Sequence, residues 1–464
     1  MPEELTLDIE MVITAISEYD VKKFILASKE LHYADLALIF EDLDDQERSF
    51  FTKHIPLNRF PDILAELPDS LIEETLERFD KAGQKEILSK LLDDDRADIL
   101  QDVKPESRPR YLALLQPEEM EATRSLMRYH EDTAGGRMTT QIAKLTPAMS
   151  VQEALDLLKE NYDTTESLAR IYVVGEQDRL VGKLRLRDLA FSTRSATVES
   201  VMEEVDITIL ATADQEEAAQ TFSKYDMTLL PVVNEYETLL GVITHDDILE
   251  ILEEESTEDI EKMSGIAGEQ SEETYLNTPL AIHFKRRFPW LLILALLAIA
   301  SGYVMLRYED ILSSIFLLAL YLPMVVAAGG NTGGQAAAMV IRAMSLGELE
   351  AGTTRKVFLR ETFLGLTLGI VMGACIAGIT ISILPFFQPE LPTSVSLTQF
   401  TLAVSIALAA QITTSTLTGA LLPIGARAIK LDPAVVAAPA ITTLVDISGM
   451  IIYFSAAGAL LHIA

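Results

Sequence analysis

The chain has 464 residues, enough for several domains, and a formal net charge of −33. Residues 289–464 hold only 7 Lys and Arg and 8 Asp and Glu, which leaves 30 basic and 62 acidic residues, a net −32, in residues 1–288. Such a surface excludes a nucleic-acid partner and repels an anionic membrane, and it suits either plain solubility or the binding of cations. The single cysteine, Cys375, excludes an internal disulfide and a thiolate metal cluster. Residues 1–10 are acidic and lack the basic and apolar regions of a secretory signal, so the chain is expected to start in the cytoplasm.

Residues 1–130 predict helices throughout, with apolar residues at helical spacing and short polar turns between them. A unit recurs loosely: Ala34-Asp35-Leu36 with Leu43, Pro61-Asp62-Ile63 with Leu67, and Ala97-Asp98-Ile99 with Val103. A period of about 30 residues predicts a small all-α superhelix in which neighbours share a core. Asp94 and Asp98 stand four apart on one helix face, where like charges repel slightly and gain from a cation. A solvated acidic face is the other reading.

Residues 137–256 hold a second repeat. Ile171-Tyr172-Val173-Val174 answers Leu230-Pro231-Val232-Val233, and the pairs Val173/Val232, Gly182/Gly241 and Asp188/Asp247 share one offset of 59 residues. Each copy reads helix, strand, turn, strand, then a helix opening on the aspartate. The pattern resembles a tandem pair of α/β CBS domains, at 137–198 and 199–256. Asp188 and Asp247 match the carboxylate that in many CBS domains holds a ribose, and capping of the following helix is an equal alternative. After the second copy, residues 250–263 predict an acidic helix, and residues 257–288 lead from it to the membrane.

Five segments carry roughly the 20 apolar residues that a crossing needs: about 289–306, 311–343, 363–384, 400–424 and 434–463. Loop charge orients them. Lys285, Arg286, Arg287, Arg342, Arg355, Lys356, Arg360, Arg427 and Lys430 alternate onto one side, and Arg307 alone falls on the other. By the positive-inside rule the acidic half is cytoplasmic and the C-terminus outside.

Three features lie within these spans. Gly329, Gly330, Gly333 and Gly334 follow Pro323 and are expected to break or unwind the second span, freeing carbonyls and Asn331 to face a hydrated ion; close packing through small residues is the competing reading. Asp446 lies about twelve residues into the fifth span with no basic residue at its depth. A carboxylate there costs about 2.5–3.5 kcal/mol on insertion scales, which marks an ion path. Asp432 opens the fifth span as a helix cap or as the guard of a pore mouth. Oxygen ligands without a His or Cys cluster select Mg²⁺, Ca²⁺ or Mn²⁺, and Mg²⁺, which keeps its waters, needs only one or two carboxylates. A two-fold dimer with Asp446 near its axis supplies two. Nothing in the chain forms a nucleophile–base set or a phosphate loop, so no enzymatic activity is expected.

Four stretches, PMVVAAGGNTGGQ (323–335), LDPAVVAAPAITTLVDISG (431–449), ESTEDI (255–260) and EDTAGGRMT (131–139), resemble the MgtE family of magnesium transporters. The resemblance covers nearly the whole chain. It implies a multi-pass protein of the cell (inner) membrane, working as a homodimer among membrane lipid, with a cytoplasmic N-terminus. It also implies a Mg²⁺ channel for uptake, in which Asp446 holds hydrated Mg²⁺, Asn331 lines the same pore and Asp432 stands at its mouth. Mg²⁺ is then regulator as well as substrate: bound at Asp62, Asp94, Asp98, Asp214, Glu216, Asp226, Asp247, Glu250, Glu255, Glu258 and Asp259, with a carbonyl from Gly136, it closes the pore. Some family members bind ATP on the CBS pair, for which Tyr172 and Asp188 are the candidates here. The competing expectations are an ion-coupled secondary transporter of Mg²⁺ or Co²⁺ and a membrane-anchored nucleotide sensor, although an anchor has no use for Asp446.

Overall fold

A computed structural model describes residues 3–161, 167–268, 275–276, 278–349, 352–387 and 391–462. Part of the expected connecting segment (269–274 and 277) therefore lies outside the described residues. The chain forms two compact units, Met1–Glu253 and Glu254–Ala464.

In the first unit, residues 3–126 form ten helices among the described residues, as the periodicity predicts; the fifth, α5 (Phe60–Ala65), and the eighth, α8 (Asp93–Asp102), carry the acidic residues of interest. A continuous core from Val12 to Leu115 joins neighbouring helices, with Phe24, Phe40, Phe51 and Phe60 fully buried. Two three-stranded sheets follow. The first orders β1 (Ile142–Leu145), β2 (Ser167–Val174) and β3 (Leu180–Leu184), with α11 (Val151–Glu160) and α12 (Leu186–Ala190). The second orders β4 (Ile209–Leu210), β5 (Leu230–Val233) and β6 (Leu239–Ile243), with α13 (Gln215–Lys224). In both sheets the first strand is parallel to the second, and the second pairs antiparallel with the third. The hairpin of each expected CBS copy is thus realised. Ala97 of α8 and Leu126 pack with Ala134, Met138, Val232, Ile248 and Ile251, so the helical region and the second sheet share one core.

Helix α14 (His245–Met263) leaves the second sheet, and its C-terminal half belongs to the second unit. There, α15 (Leu280–Arg307), α16 (Glu309–Ser314), α17 (Leu318–Ser345), α18 (Thr354–Ile383), α19 (Leu397–Ala428) and α20 (Pro433–Leu461) form an all-helical bundle. Four described segments are long and apolar enough to cross a membrane: Leu280–Arg307, Thr354–Phe387, Leu397–Ala428 and Ile441–Leu461. Helix α17, the expected second span, fails that measure because its glycines, Asn331 and Thr332 dilute the hydropathy, yet it packs on both α19 and α20.

One expectation is overturned here. The glycine run does not break the helix: α17 continues unbroken through Gly329–Gly334. Pro323 lies within the first two turns of the helix, and the glycines act as contact surfaces. Gly329 and Gly333 are buried against Gln411, Ser415, Ile441 and Val445, and a Cβ on either would meet those side chains. Backbone hydrogen bonding is therefore kept inside the helix, as an apolar surrounding demands. The span also starts at Leu318 and not near residue 311, because α16 forms a separate short turn.

Helix α18 uses the same device. Gly365, Gly369 and Gly373 recur every four residues on one face, against the backbone of Thr413, Ala409 and Ser405 of α19. A Cβ on Gly369 would lie 2.6 Å from the Ala409 carbonyl oxygen. The Gly369→Val variant is expected to lose about 1–3 kcal/mol through overpacking, seen as a lower unfolding temperature in detergent. An unchanged midpoint would refute this packing. At one end of the bundle Tyr453 donates to the Leu318 carbonyl (2.9 Å), within a core that includes Phe400 and Phe454. At the other end, Gly265 (φ +73°) presses on the Trp290 ring, where a Cβ would collide, and both line a cavity of about 370 Å³ with Arg287 and Thr442.

Candidate ion pathway and acidic sensing sites

In the second unit, Asp446 is half-buried on α20, and among the described residues no charged or hydrogen-bonding group acts on its carboxylate. Asn331 is exposed on the side of α17 opposite Gly329 and Gly333, with open space over Gly330 and Gly334. Amide and carboxylate thus occur on two packed helices, α17 and α20, within otherwise apolar segments.

Asp432 caps α20, with Oδ1 accepting from the Ala434 amide (2.7 Å), while Oδ2 accepts from Lys262 Nζ (2.6 Å). Lys262 also pairs with Glu258 one turn earlier on α14. Asp259 accepts from Ser345 Oγ (3.1 Å); burial raises its pKa, and Asp432 and Glu258 add to the rise. Burial works against the charged form of Lys262, but the two carboxylates outweigh it and raise its pKa. Glu261 of the same helix pairs with Arg286 of α15. Glu255 is half-buried on α14. Of the two alternatives for Asp432, the helix cap is formed by one oxygen, and the other oxygen is taken up by Lys262.

In the first unit, α8 turns Asp95 and Asp98 toward other acids. Asp95 is pushed up to about 6, first by burial and then by Asp247, Glu66, Asp62 and Asp246. Asp98 is pushed up to about 7, chiefly by burial, with Asp95 and Glu131 adding and Arg137 opposing. Burial likewise raises Asp62, Glu66 and Asp247, although Asp247 accepts from the Thr244 amide (3.1 Å) and hydroxyl (2.7 Å) at the start of α14. Carboxylates that repel one another while losing water form an electrostatic hole that a divalent cation fills.

Of the candidates, Asp62, Asp98 and Asp247 thus join one acidic patch. Asp94 is buried on α8 beside Asp93, which bonds Arg96 and Thr140. Glu250 is exposed one turn beyond Asp247; the pKa of Tyr33 is raised first by burial and then by Glu66, Asp62, Asp246 and Glu250. Asp214 caps α13 through the Glu216 amide (2.9 Å), Glu216 accepts from Gln220 (3.1 Å), and Asp226 is exposed with φ +48°. Gly136 lies in the turn after His130, Glu131 and Asp132, three exposed groups close enough to share an ion. Asp95 and Glu66 were not among the candidates. The run Asp93-Asp94-Asp95 offers Asp98 a partner at either three or four residues, and only the buried Ala97 and Ile99 decide between them.

For a nucleotide, Tyr172 is 2 % exposed between the two CBS copies and its hydroxyl donates to the Leu229 carbonyl (3.2 Å). Asp188 accepts from Arg185 at both backbone and side chain (3.0 Å each), bonds that overcome partial burial and hold its pKa down.

The architecture is that of a multi-pass membrane protein with a large acidic half. Residues 322–456 match the family model MgtE, described as a divalent cation transporter, residues 31–132 match the MgtE intracellular N domain, and residues 134–192 and 198–254 match the CBS domain. The chain is 32% identical over 468 residues to the magnesium transporter MgtE of Thermus thermophilus and 30% identical over 464 residues to that of Bacillus subtilis, covering 100% of each chain in both comparisons. It also resembles the crystal structure of the cytosolic domain of the Mg²⁺ channel MgtE in complex with ATP, at 32% identity and a TM-score of 0.50, over 52% of this chain and 99% of that one. The chain belongs to the MgtE family, which consists of transporters and not enzymes.

Proposed function

We propose that this protein is a Mg²⁺ channel for uptake that cytosolic Mg²⁺ closes. The observation that carries the reading is Asp446: a lone carboxylate at mid-span, half-buried, with no charge to pair with among the described residues. Such a group is retained against its insertion cost when an ion passes it. A homodimer with Asp446 of each copy near its axis supplies two carboxylates, enough for a hydrated Mg²⁺. The acidic half is then cytoplasmic and the C-terminus outside, as loop charge predicts.

Closure follows from the acidic patches. Shifting a two-state pore from 1:99 to 99:1 takes about 5.5 kcal/mol of differential binding, which several weak carboxylate sites supply together. At the pore mouth, Glu258, Asp259 and Asp432 form the matching group around Lys262. ATP on the CBS pair is supported by the ATP complex of the similar cytosolic domain. In this chain a ribose at Asp188 competes with Arg185.

The test is Mg²⁺ uptake into proteoliposomes at low and at millimolar Mg²⁺ on the cytoplasmic face. Flux that falls as cytoplasmic Mg²⁺ rises is the expected result. Flux that needs an opposing Na⁺ or proton gradient would instead identify a coupled transporter.

A further inference from the structure

One buried side-chain amide lies at the contact of α17, α19 and α20. Gln411, midway along α19, is 0 % exposed. Its Nε2 donates to the carbonyl of Val445 (2.9 Å), the residue preceding Asp446. Two glycines make room for it. A Cβ on Gly449 of α20 would stand 2.7 Å from Nε2, and a Cβ on Gly329 of α17 would collide with the same atom. Among the described residues its Oε1 has no hydrogen-bond partner, and neither has buried Ser415 Oγ one turn away. Ser448 Oγ adds a second side-chain bond to the Val445 carbonyl (3.2 Å).

A primary amide inside a span loses its water and gains little unless its place is specified. For packing alone, methionine or leucine serves better. The amide instead reaches from α19 to the single peptide that sets the height and rotation of Asp446, through a slot formed by the glycine stretch that carries Asn331. We infer that Gln411 is a positioning residue: it fixes α20 against α19, beside the glycines of α17, so that Asp446 meets the passing ion at one register. This inference rests on Asp446 lying in the ion path. Its distinct content is that ion recognition depends on a residue outside the path.

The test compares wild type, Gln411→Met, Gly449→Ala, their double variant and Asp446→Ala in proteoliposome Mg²⁺ uptake. Methionine keeps the volume and removes the donor; the Gly449 methyl keeps the donor and blocks its approach. Each single variant is expected to raise the Mg²⁺ concentration for half-maximal flux about tenfold, the worth of one buried hydrogen bond, with the double variant no worse than either alone. A purely structural role lowers maximal flux through loss of folded protein and leaves half-saturation unchanged, and that result overturns the inference. Multiplying effects of the two substitutions also overturn it. If Gln411→Met does not fold, Gly449→Ala decides by the same criterion. An inactive Asp446→Ala beside wild-type half-saturation in the other variants sinks the inference alone, whereas a conducting Asp446→Ala removes the pore reading beneath it.

Discussion

Replacing Asp446 with alanine is expected to cut Mg²⁺ flux by about a hundredfold or more, to the leak of protein-free liposomes, because nothing else in the spans supplies charge at that depth. The half-buried carboxylate has no partner among the described residues, so its removal orphans no basic group there and costs the fold little. Asp446→Asn separates charge from shape: it keeps volume and hydrogen bonding, and it is expected to fail in transport as fully as alanine. The measurement is tracer or fluorescent-indicator uptake, with unfolding temperature recorded alongside. Substantial flux through Asp446→Asn would show that hydrogen bonding, and not charge, holds the ion.

The acidic patch of the first unit carries the second large effect. Asp95 and Asp98, pushed up to about 6 and about 7, retain protons that the unfolded chain has already released. The folded state thus binds more protons between about pH 4 and pH 7, and its stability falls as pH rises through that window. Mg²⁺ binds the ionised form and must displace those protons. Two trends follow for the full-length protein in detergent. Without Mg²⁺ the unfolding temperature drops from about pH 5 to about pH 8, and stabilisation by Mg²⁺ grows over the same range. In flux assays the Mg²⁺ concentration that half-closes the pore falls as cytoplasmic pH rises. The Asp95→Asn/Asp98→Asn variant is expected to keep wild-type flux at low Mg²⁺, to require at least about tenfold more Mg²⁺ for closure, and to lose most of the pH trend. Lost flux at low Mg²⁺ would mean that these residues serve conduction and not sensing.

Legibility differed by level. Helical periodicity, the 59-residue repeat and the apolar segments are one-dimensional signals, and the helices, hairpins and bundle follow them closely. Asp446 is itself a one-dimensional signal: a lone aspartate in an apolar span stands out in any window. It was not readable where three dimensions decide. Whether Asp94 or Asp95 faces Asp247 depends on which side of α8 meets Val232 and Ile248, a tertiary fact. The glycine run misled because a glycine is equally a breaker and a contact surface, and the partners that resolve this, Gln411 and Ser415, lie about 80 residues further on. Lys262 carried no signal beside its acidic neighbours, although it is the cation that Asp432 holds.

Trp290 is the chain's one tryptophan, and it is seated against Gly265 where the acidic helix hands over to the membrane bundle. The unlabelled protein therefore carries a fluorophore at its own junction. Its emission colour and quenching report how tightly that turn is closed on the ring, free of background from any other indole.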